Sequence, residues 1–284
     1  MNIRRLRMGL KTVLGIAKEG FFIPYRYAAS LPGPEDRKPY AAIETVMAAH
    51  EDRFTEMLDS LAAFEADFAD FGTAPPPEPR FEQDWFPRLD AAICYAMVRM
   101  QKPARIIEVG SGHSTRFMAR AIRDGKLATE FIAIDPAPRA SIETLPITFV
   151  RRTLHEAGTE IFNSLEPGDI LFIDSSHIAI PGTDVDDLFL NVIPALPDGV
   201  IIHIHDIFLP DDYPKDWEWR GYNEQQMVAP MFLYGGFDIL FSSAYVRSRM
   251  RKRLDHSFCG RLPIPNGAYE TSLWLMKGAA RQKP

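Results

Sequence analysis

The stretch Arg105-Ile106-Ile107-Glu108-Val109-Gly110-Ser111-Gly112-His113-Ser114-Thr115 decides the fold. Ile106, Ile107 and Val109 read as a short buried strand carrying one carboxylate, Glu108, near its end. The strand breaks into Gly-Ser-Gly and runs into Phe117-Met118-Ala119-Arg120-Ala121-Ile122, a helical pattern. Strand, glycine turn and helix together form a ligand site in α/β proteins. Glycines let a ligand approach the backbone, and the first turn of the helix offers free N–H groups.

The flanking sequence repeats this alternation. Apolar runs at 131–134, 147–150, 170–173 and 199–205 read as strands two to five, separated by helical or loop segments such as 188–196. Such runs indicate a parallel sheet covered on both faces. Residues 223–234 read as a helix, 237–241 as a sixth strand and 272–276 as a last strand. The closing pair fits an edge hairpin joined by a long connection. The expected fold is α/β, a Rossmann-like doubly wound sheet, mostly parallel with an antiparallel C-terminal strand, plus an N-terminal helical extension. The strands end in polar residues: Glu108, Asp135, Asp174 with His177, and His205 with Asp206. Ligands bind at the carboxyl ends of strands in such sheets, so these side chains are expected on one rim.

Before the sheet lie three segments. Residues 1–20 form a basic amphipathic helix with Arg4, Arg5, Arg7, Lys11 and Lys18 against Ile3, Leu6, Leu10, Val13, Leu14 and Ala17. It suits a membrane surface or a partner; the reading adopted is docking on its own domain or on a second subunit, which allows a homo-oligomer through the N-terminal helices. Residues 40–71 read as one long helix ending at Gly72. Residues 73–80, with Pro75-Pro76-Pro77 and Pro79, form an extended linker and the expected boundary between an extension, 1–80, and a ligand-binding domain, 81–284. Residues 81–100 read as a helix leading into the first strand, with Trp85 and Phe86 packed at its start.

Composition narrows the class. The 284 residues carry a net charge of −6, so no global basic field for nucleic acid is present. Cys94 and Cys259 have no metal-like spacing and suit a reducing, cytoplasmic compartment. No apolar run is long enough to span a membrane. The basic run 247–253 reads as a solvated face.

The glycine turn discriminates among nucleotides. The dinucleotide pattern G-x-G-x-x-G fails at Thr115, which disfavours a nicotinamide dehydrogenase, and the absence of a lysine after the glycines excludes a P-loop. Glu108-x-Gly110-x-Gly112, with Asp135 ending strand two, resembles motif I and its partner acid in the class I S-adenosylmethionine-dependent methyltransferases. The frequent third glycine of that motif is Ser114 here. Ile173-Asp174-Ser175-Ser176-His177 resembles the I-D-S/G-S-H motif on strand four of the small-molecule O-methyltransferase-like subgroup. The likeness covers roughly residues 81 to 277.

This resemblance implies S-adenosylmethionine as cofactor, with Glu108, Gly110, Ser111, Gly112, Ser114 and Asp135 around it. Asp135 would accept from the ribose hydroxyls and backbone N–H groups would hold the cofactor carboxylate. It implies methyl transfer to a small-molecule acceptor, a hydroxyl in the reading adopted. His177 is the first choice as base, with Asp174 and His205 as further catalytic candidates. Relatives of the catechol type place carboxylates at the ends of strands four and five around a divalent metal, which implies Asp174, His205 and Asp206 as an alternative metal set. An imidazole there tilts the choice toward manganese, iron or zinc. His203 reads as buried and structural. The rim loop 208–225 offers Trp217, Trp219 and Tyr222 for stacking and Asp211, Asp212 and Asp216 for a cation. Two other readings remain: a catalytically silent S-adenosylmethionine-binding or partner protein, and a metal-dependent oxygenase-like relative.

Overall fold

A computed structural model describes residues 3–278; residues 1–2 and 279–284, the ends of the two expected domain ranges, lie outside the described residues. Seven strands form one sheet: β1 Arg105–Val109, β2 Glu130–Ile134, β3 Thr148–Val150, β4 Ile170–Ile173, β5 Ile201–Ile204, β6 Phe237–Ser242 and β7 Leu273–Lys277. Their order is β3-β2-β1-β4-β5-β7-β6. All pairs from β3 to β5 are parallel, and β7 is antiparallel to both β5 and β6. The closing strands thus form an antiparallel pair at the edge of the sheet, joined by the long connection 243–272, as expected. β7 inserts beside β5, and β6 becomes the edge. The order reverses between β1 and β4, so the crevice outside their carboxyl ends is where such a sheet binds ligands.

The helices are α1 Ile3–Val13, α2 Ala41–Ala48, α3 Glu51–Ser60, α4 Glu65–Ala69, α5 Arg88–Gln101, α6 His113–Gly125, α7 Leu154–Ala157, α8 Asp184–Asp187, α9 Ile193–Ala195, α10 Gln225–Leu233, α11 Ser243–Arg249 and α12 Arg251–His256. The strand residues are buried in one core that they share with α5 and α6, which pack on each other, and α3 and α10 meet β6.

Three elements differ from the sequence reading. The long helix expected over 40–71 is three helices and a short 3-10 turn at Leu61–Phe64. It bends at His50, whose ring bonds the Val46 carbonyl and the Asp238 carboxylate, so α2 can meet α10 while α3 meets β6. Residues 81–87 are not helical. Pro87 caps α5 with extended backbone, and a residue before proline is pushed out of the helical region. The Gln83 side-chain oxygen accepts from the Trp85 and Phe86 N–H groups instead. The run 247–253 is a set of struts and not merely a solvated face. Arg249 bridges Glu44 and Asp211, and Arg253 pairs with Asp59.

The segment 41–71 shares one hydrophobic core with the sheet, through Ile43, Met47, Phe54, Leu58, Leu61 and Phe68. Arg88 at the start of α5 and Glu270 before β7 form a two-point pair, 2.9 Å at each contact, with both side chains buried. Removing one partner leaves a buried uncompensated charge. Glu270→Gln is therefore expected to lower unfolding free energy in urea by about 3–5 kcal/mol. Arg251→Ala, which breaks an exposed pair, should change it by under about 1 kcal/mol. Equal effects from the two variants would contradict the assignment.

Candidate active site

The glycine turn is held by its neighbours. Gly110 has φ +81°, and a Cβ there would sit 1.8 Å from the Asp174 carbonyl oxygen, so glycine is obligatory. The turn thereby lies against the end of β4. Asp135, ending β2, accepts from the Ser111 N–H at 2.6 Å and the Ser111 hydroxyl at 3.0 Å, while its other oxygen accepts from the Ala137 N–H at 2.7 Å. Asp135 thus fixes the turn and keeps lone pairs for a further donor.

Glu108 does not face the cleft. It is fully buried, and it accepts from the Ser114 hydroxyl at 2.5 Å and the Thr115 hydroxyl at 2.7 Å. Thr115 also accepts the Gly112 N–H. Ser114 and Thr115, the two departures from glycine patterns, are thus the residues that tie the strand-end acid to the first turn of α6. Burial pushes the Glu108 carboxyl up to about 8, opposed by the two hydroxyl donors.

The second half of the site is a cluster at the ends of β4 and β5. His177 Nε2 lies 3.3 Å from Asp174 Oδ1 and 3.3 Å from Asp206 Oδ2. His205 Nδ1 lies 3.4 Å from Asp174 Oδ1 and 3.5 Å from Asp206 Oδ1. Each imidazole has a carboxylate behind it: His177 Nδ1 bonds Glu224 at 2.8 Å and His205 Nε2 contacts Asp90 at 3.3 Å. Such carboxylates set which ring nitrogen faces the site. Burial alone would lower both histidines, but the facing carboxylates, Asp206 first for His177 and Asp174 first for His205, hold both well above the ordinary value. Burial would likewise raise Asp174, and His205 and His177 reverse it to well below. His177 and Asp206 both have left-handed backbone, φ 60° and 57°, a costly conformation for non-glycine residues that recurs at functional sites.

Among the described residues, Asp174, His177 and Asp206 are mutually close enough to hold one metal ion. The sequence reading placed His205 in that set. The structure adds His177, and His205 reaches the same two carboxylates from the other side.

Both halves open into one cleft of about 290 Å³. Ser111, Gly112, Ser114 and Asp135 line it together with Asp174, His177, His205 and Asp206. The rim loop contributes Asp216, Trp217, Arg220 and Tyr222, with the Tyr222 ring 4.6 Å from that of His177. Trp219 faces outward, and Asp211 and Asp212 are engaged by Arg249 and Arg37, so these three are not cleft residues. Trp85 was expected to pack, yet it is half exposed at the cleft with Arg139 stacked 4.2 Å above its ring, while Phe86 is buried. His203 is buried, bonds Ser272 and stacks on Phe172, as its sequence position suggested.

Asp90, Glu224 and His113 were not singled out by sequence reading. Glu224 lay unremarked inside the rim loop. Asp90 had one signal, an acid within the otherwise apolar face of α5. His113 lines the cleft at the start of α6, and burial lowers it to about 4.

The Glu108 environment has a consequence for stability. The unfolded carboxyl titrates near 4.5 and the folded one near 8, so between these values the folded state holds the extra proton. Stability contributed by this group is present below the unfolded value and falls as pH rises, by about 1.4 kcal/mol per unit. Urea unfolding of the wild type is expected to weaken relative to Glu108→Gln from about pH 5 to about pH 8. Parallel pH profiles would rule this out.

Residues 107–207 match a family model described as a methyltransferase domain. No curated protein sequence matches the chain. Among solved structures, an S-adenosylhomocysteine-bound methyltransferase from Podospora anserina is 18% identical, covering 91% of this chain and 99% of its own, with a TM-score of 0.42. An O-methyltransferase from Bacillus cereus in complex with S-adenosylhomocysteine is 12% identical, covering 84% and 98%, with a TM-score of 0.39. The MycE methyltransferase of mycinamycin biosynthesis, in complex with Mg, S-adenosylhomocysteine and mycinamycin VI, is 18% identical, covering 77% and 54%, at 0.38. These are distant likenesses; the segment matched by the family model runs from within β1 to just beyond β5 and so contains the glycine turn and the histidine–aspartate cluster. Over residues 107–207 the α/β core of this chain is thus similar to a methyltransferase domain.

Proposed function

We propose that the chain transfers a methyl group from S-adenosylmethionine to a hydroxyl of a small-molecule acceptor. One observation carries this reading: the glycine turn with Asp135 and the cluster of Asp174, His177, His205 and Asp206 line a single cleft. The first half suits the donor. Asp135 can accept from ribose hydroxyls, and the first-turn N–H groups of α6 suit a carboxylate. The second half suits the acceptor. S-adenosylmethionine supplies a methyl that is already activated, so the protein has to align the acceptor and take its proton.

His177 is the side chain best placed to take that proton; the carboxylates that raise its pKa make its neutral form a strong base and leave it mostly protonated until the acceptor binds. Glu224 holds Nδ1 as donor and aims Nε2 into the cleft. The paired carboxylates of Asp174 and Asp206 stabilise the imidazolium that results. Trp217, Tyr222 and Arg220 wall the cleft and keep water from the acceptor.

A divalent metal fits the same cluster, and the orientation of both imidazoles is the observation that favours it. Each turns one nitrogen toward Asp174 and Asp206 and its other toward a buried carboxylate, the arrangement found behind metal-binding histidines. Asp174, His177, His205 and Asp206 would hold the ion, whose chemistry would be to lower the acceptor hydroxyl's pKa. Two nitrogens and carboxylate oxygens suit manganese, iron or zinc over magnesium.

S-adenosylhomocysteine is expected to raise the melting temperature and NAD to leave it unchanged. Asp135→Ala should weaken S-adenosylhomocysteine binding at least about tenfold, the loss of one or two charge-assisted bonds. No shift with either nucleoside ligand would sink the cofactor assignment. For the metal, equilibrium dialysis against Mn²⁺ should load about one ion per chain. Asp206→Asn should abolish that loading while leaving S-adenosylhomocysteine binding near normal. Equal Mn²⁺ uptake by both forms would remove the cluster as its site.

A further inference from the structure

Residues 3–31 carry a surface that the methyl-transfer reading does not use. α1 has no buried residue and touches its own domain along a shallow groove. Ile3, Leu6, Leu10, Val13 and Leu14 line one side of the helix and its exit, and all are exposed. The chain continues irregularly through Phe21, Phe22, Ile23, Tyr25 and Tyr27, also exposed. Of these ten side chains, Ile3, Val13, Leu14, Phe22 and Ile23 are between 62% and 83% exposed. Among the described residues, twelve of the nineteen exposed large apolar side chains fall within residues 3–31.

The charge of this arm is opposite to that of the rest. Residues 3–31 contain six basic side chains and one acid, Glu19, a net of +5; with −6 on the whole chain, the remainder carries −11. Basic and apolar groups are interleaved here: Lys18 lies over the Phe21 ring and Arg26 over the Tyr27 ring.

We infer that this arm docks on an anionic lipid surface. A basic helix with one apolar face is built to lie in a headgroup layer, and aromatic residues beside basic ones suit the same depth. Each Lys or Arg gains from the negative surface potential, and the arm is where such a surface can approach an otherwise acidic chain. A second copy is disfavoured as the occupant. Two copies of an arm that each carry a net +5 would meet like charge against like charge, which costs affinity, whereas an anionic surface complements them. The inner end of the arm, Leu6, Leu10 and Val13, shares a groove with Lys215, Glu218 and Trp219. Their neighbours Asp216, Trp217 and Arg220 line the cleft. Docking would therefore set the mouth of the cleft beside the lipid surface.

Sedimentation of the full chain with vesicles tests this, independently of any methyl transfer. Phosphatidylcholine vesicles containing phosphatidylglycerol should bind the protein at least tenfold more tightly than pure phosphatidylcholine vesicles. Added salt should weaken that binding, and the double variant Val13→Glu/Phe22→Glu should abolish it with an unchanged melting temperature. No preference for the anionic vesicles overturns the proposal. So does vesicle binding that survives the double variant. A chain that ignores vesicles but dimerises in analytical ultracentrifugation, with the double variant monomeric, assigns the arm to a second copy instead.

Discussion

The approach of Gly110 to the carbonyl of Asp174 is the constraint on which the site depends. The first strand must turn at its carboxyl end and the fourth must end beside it, and no side chain fits between them. A Cβ would push the two strand ends apart at the point where the sheet order reverses. Because none is present, the glycine turn that suits a nucleoside and the cluster that suits an acceptor lie against each other. Proximity on this scale is itself a large part of what a transferase with an activated donor has to supply.

Around that contact, the acids divide their labour by burial. Glu108 is internal and braces the turn through Ser114 and Thr115. Asp135 stays half-buried, holding Ser111 and retaining acceptor capacity. Asp174 and Asp206 face two imidazoles, whose far nitrogens are held by Glu224 and Asp90. The network is not wholly closed: among the described residues, Glu224 Oε1 and Ser175 Oγ are buried with no hydrogen-bond partner, and such atoms are costly in a low-dielectric site. Left-handed backbone at His177 and Asp206 is a further cost accepted at the same place. The rim loop lines the cleft with Asp216, Trp217, Arg220 and Tyr222, while Arg249 and Arg37 anchor its Asp211 and Asp212 from outside.

Much of this was legible in the sequence for identifiable reasons. Parallel strands buried on both faces are continuous apolar runs, so Ile106–Val109 and Ile170–Ile173 stand out, and the polar residues ending them mark the rim. What was not legible depends on contacts distant in sequence. The insertion of β7 between β5 and β6 leaves no local trace, and neither does the bend at His50, which answers to Asp238. Motif reading put Glu108 at the cofactor, because spacing does not say which way a strand-end side chain turns. The carboxylates behind the histidines, Asp90 and Glu224, come from elements with no motif. His177 reads from sequence as a base; only its geometry shows that it faces the same two aspartates as His205.

The most direct test is a crystal structure of the full chain grown with S-adenosylhomocysteine and Mn²⁺. The account predicts the nucleoside between the Gly110–Ser114 turn and Asp135, its sulfur directed toward His177, and one anomalous peak within ligand distance of Asp174, His177 and Asp206. A nucleoside bound away from the glycine turn, or a cluster closed by its own ion pairs on the far side of Trp217 from the sulfur, would contradict it.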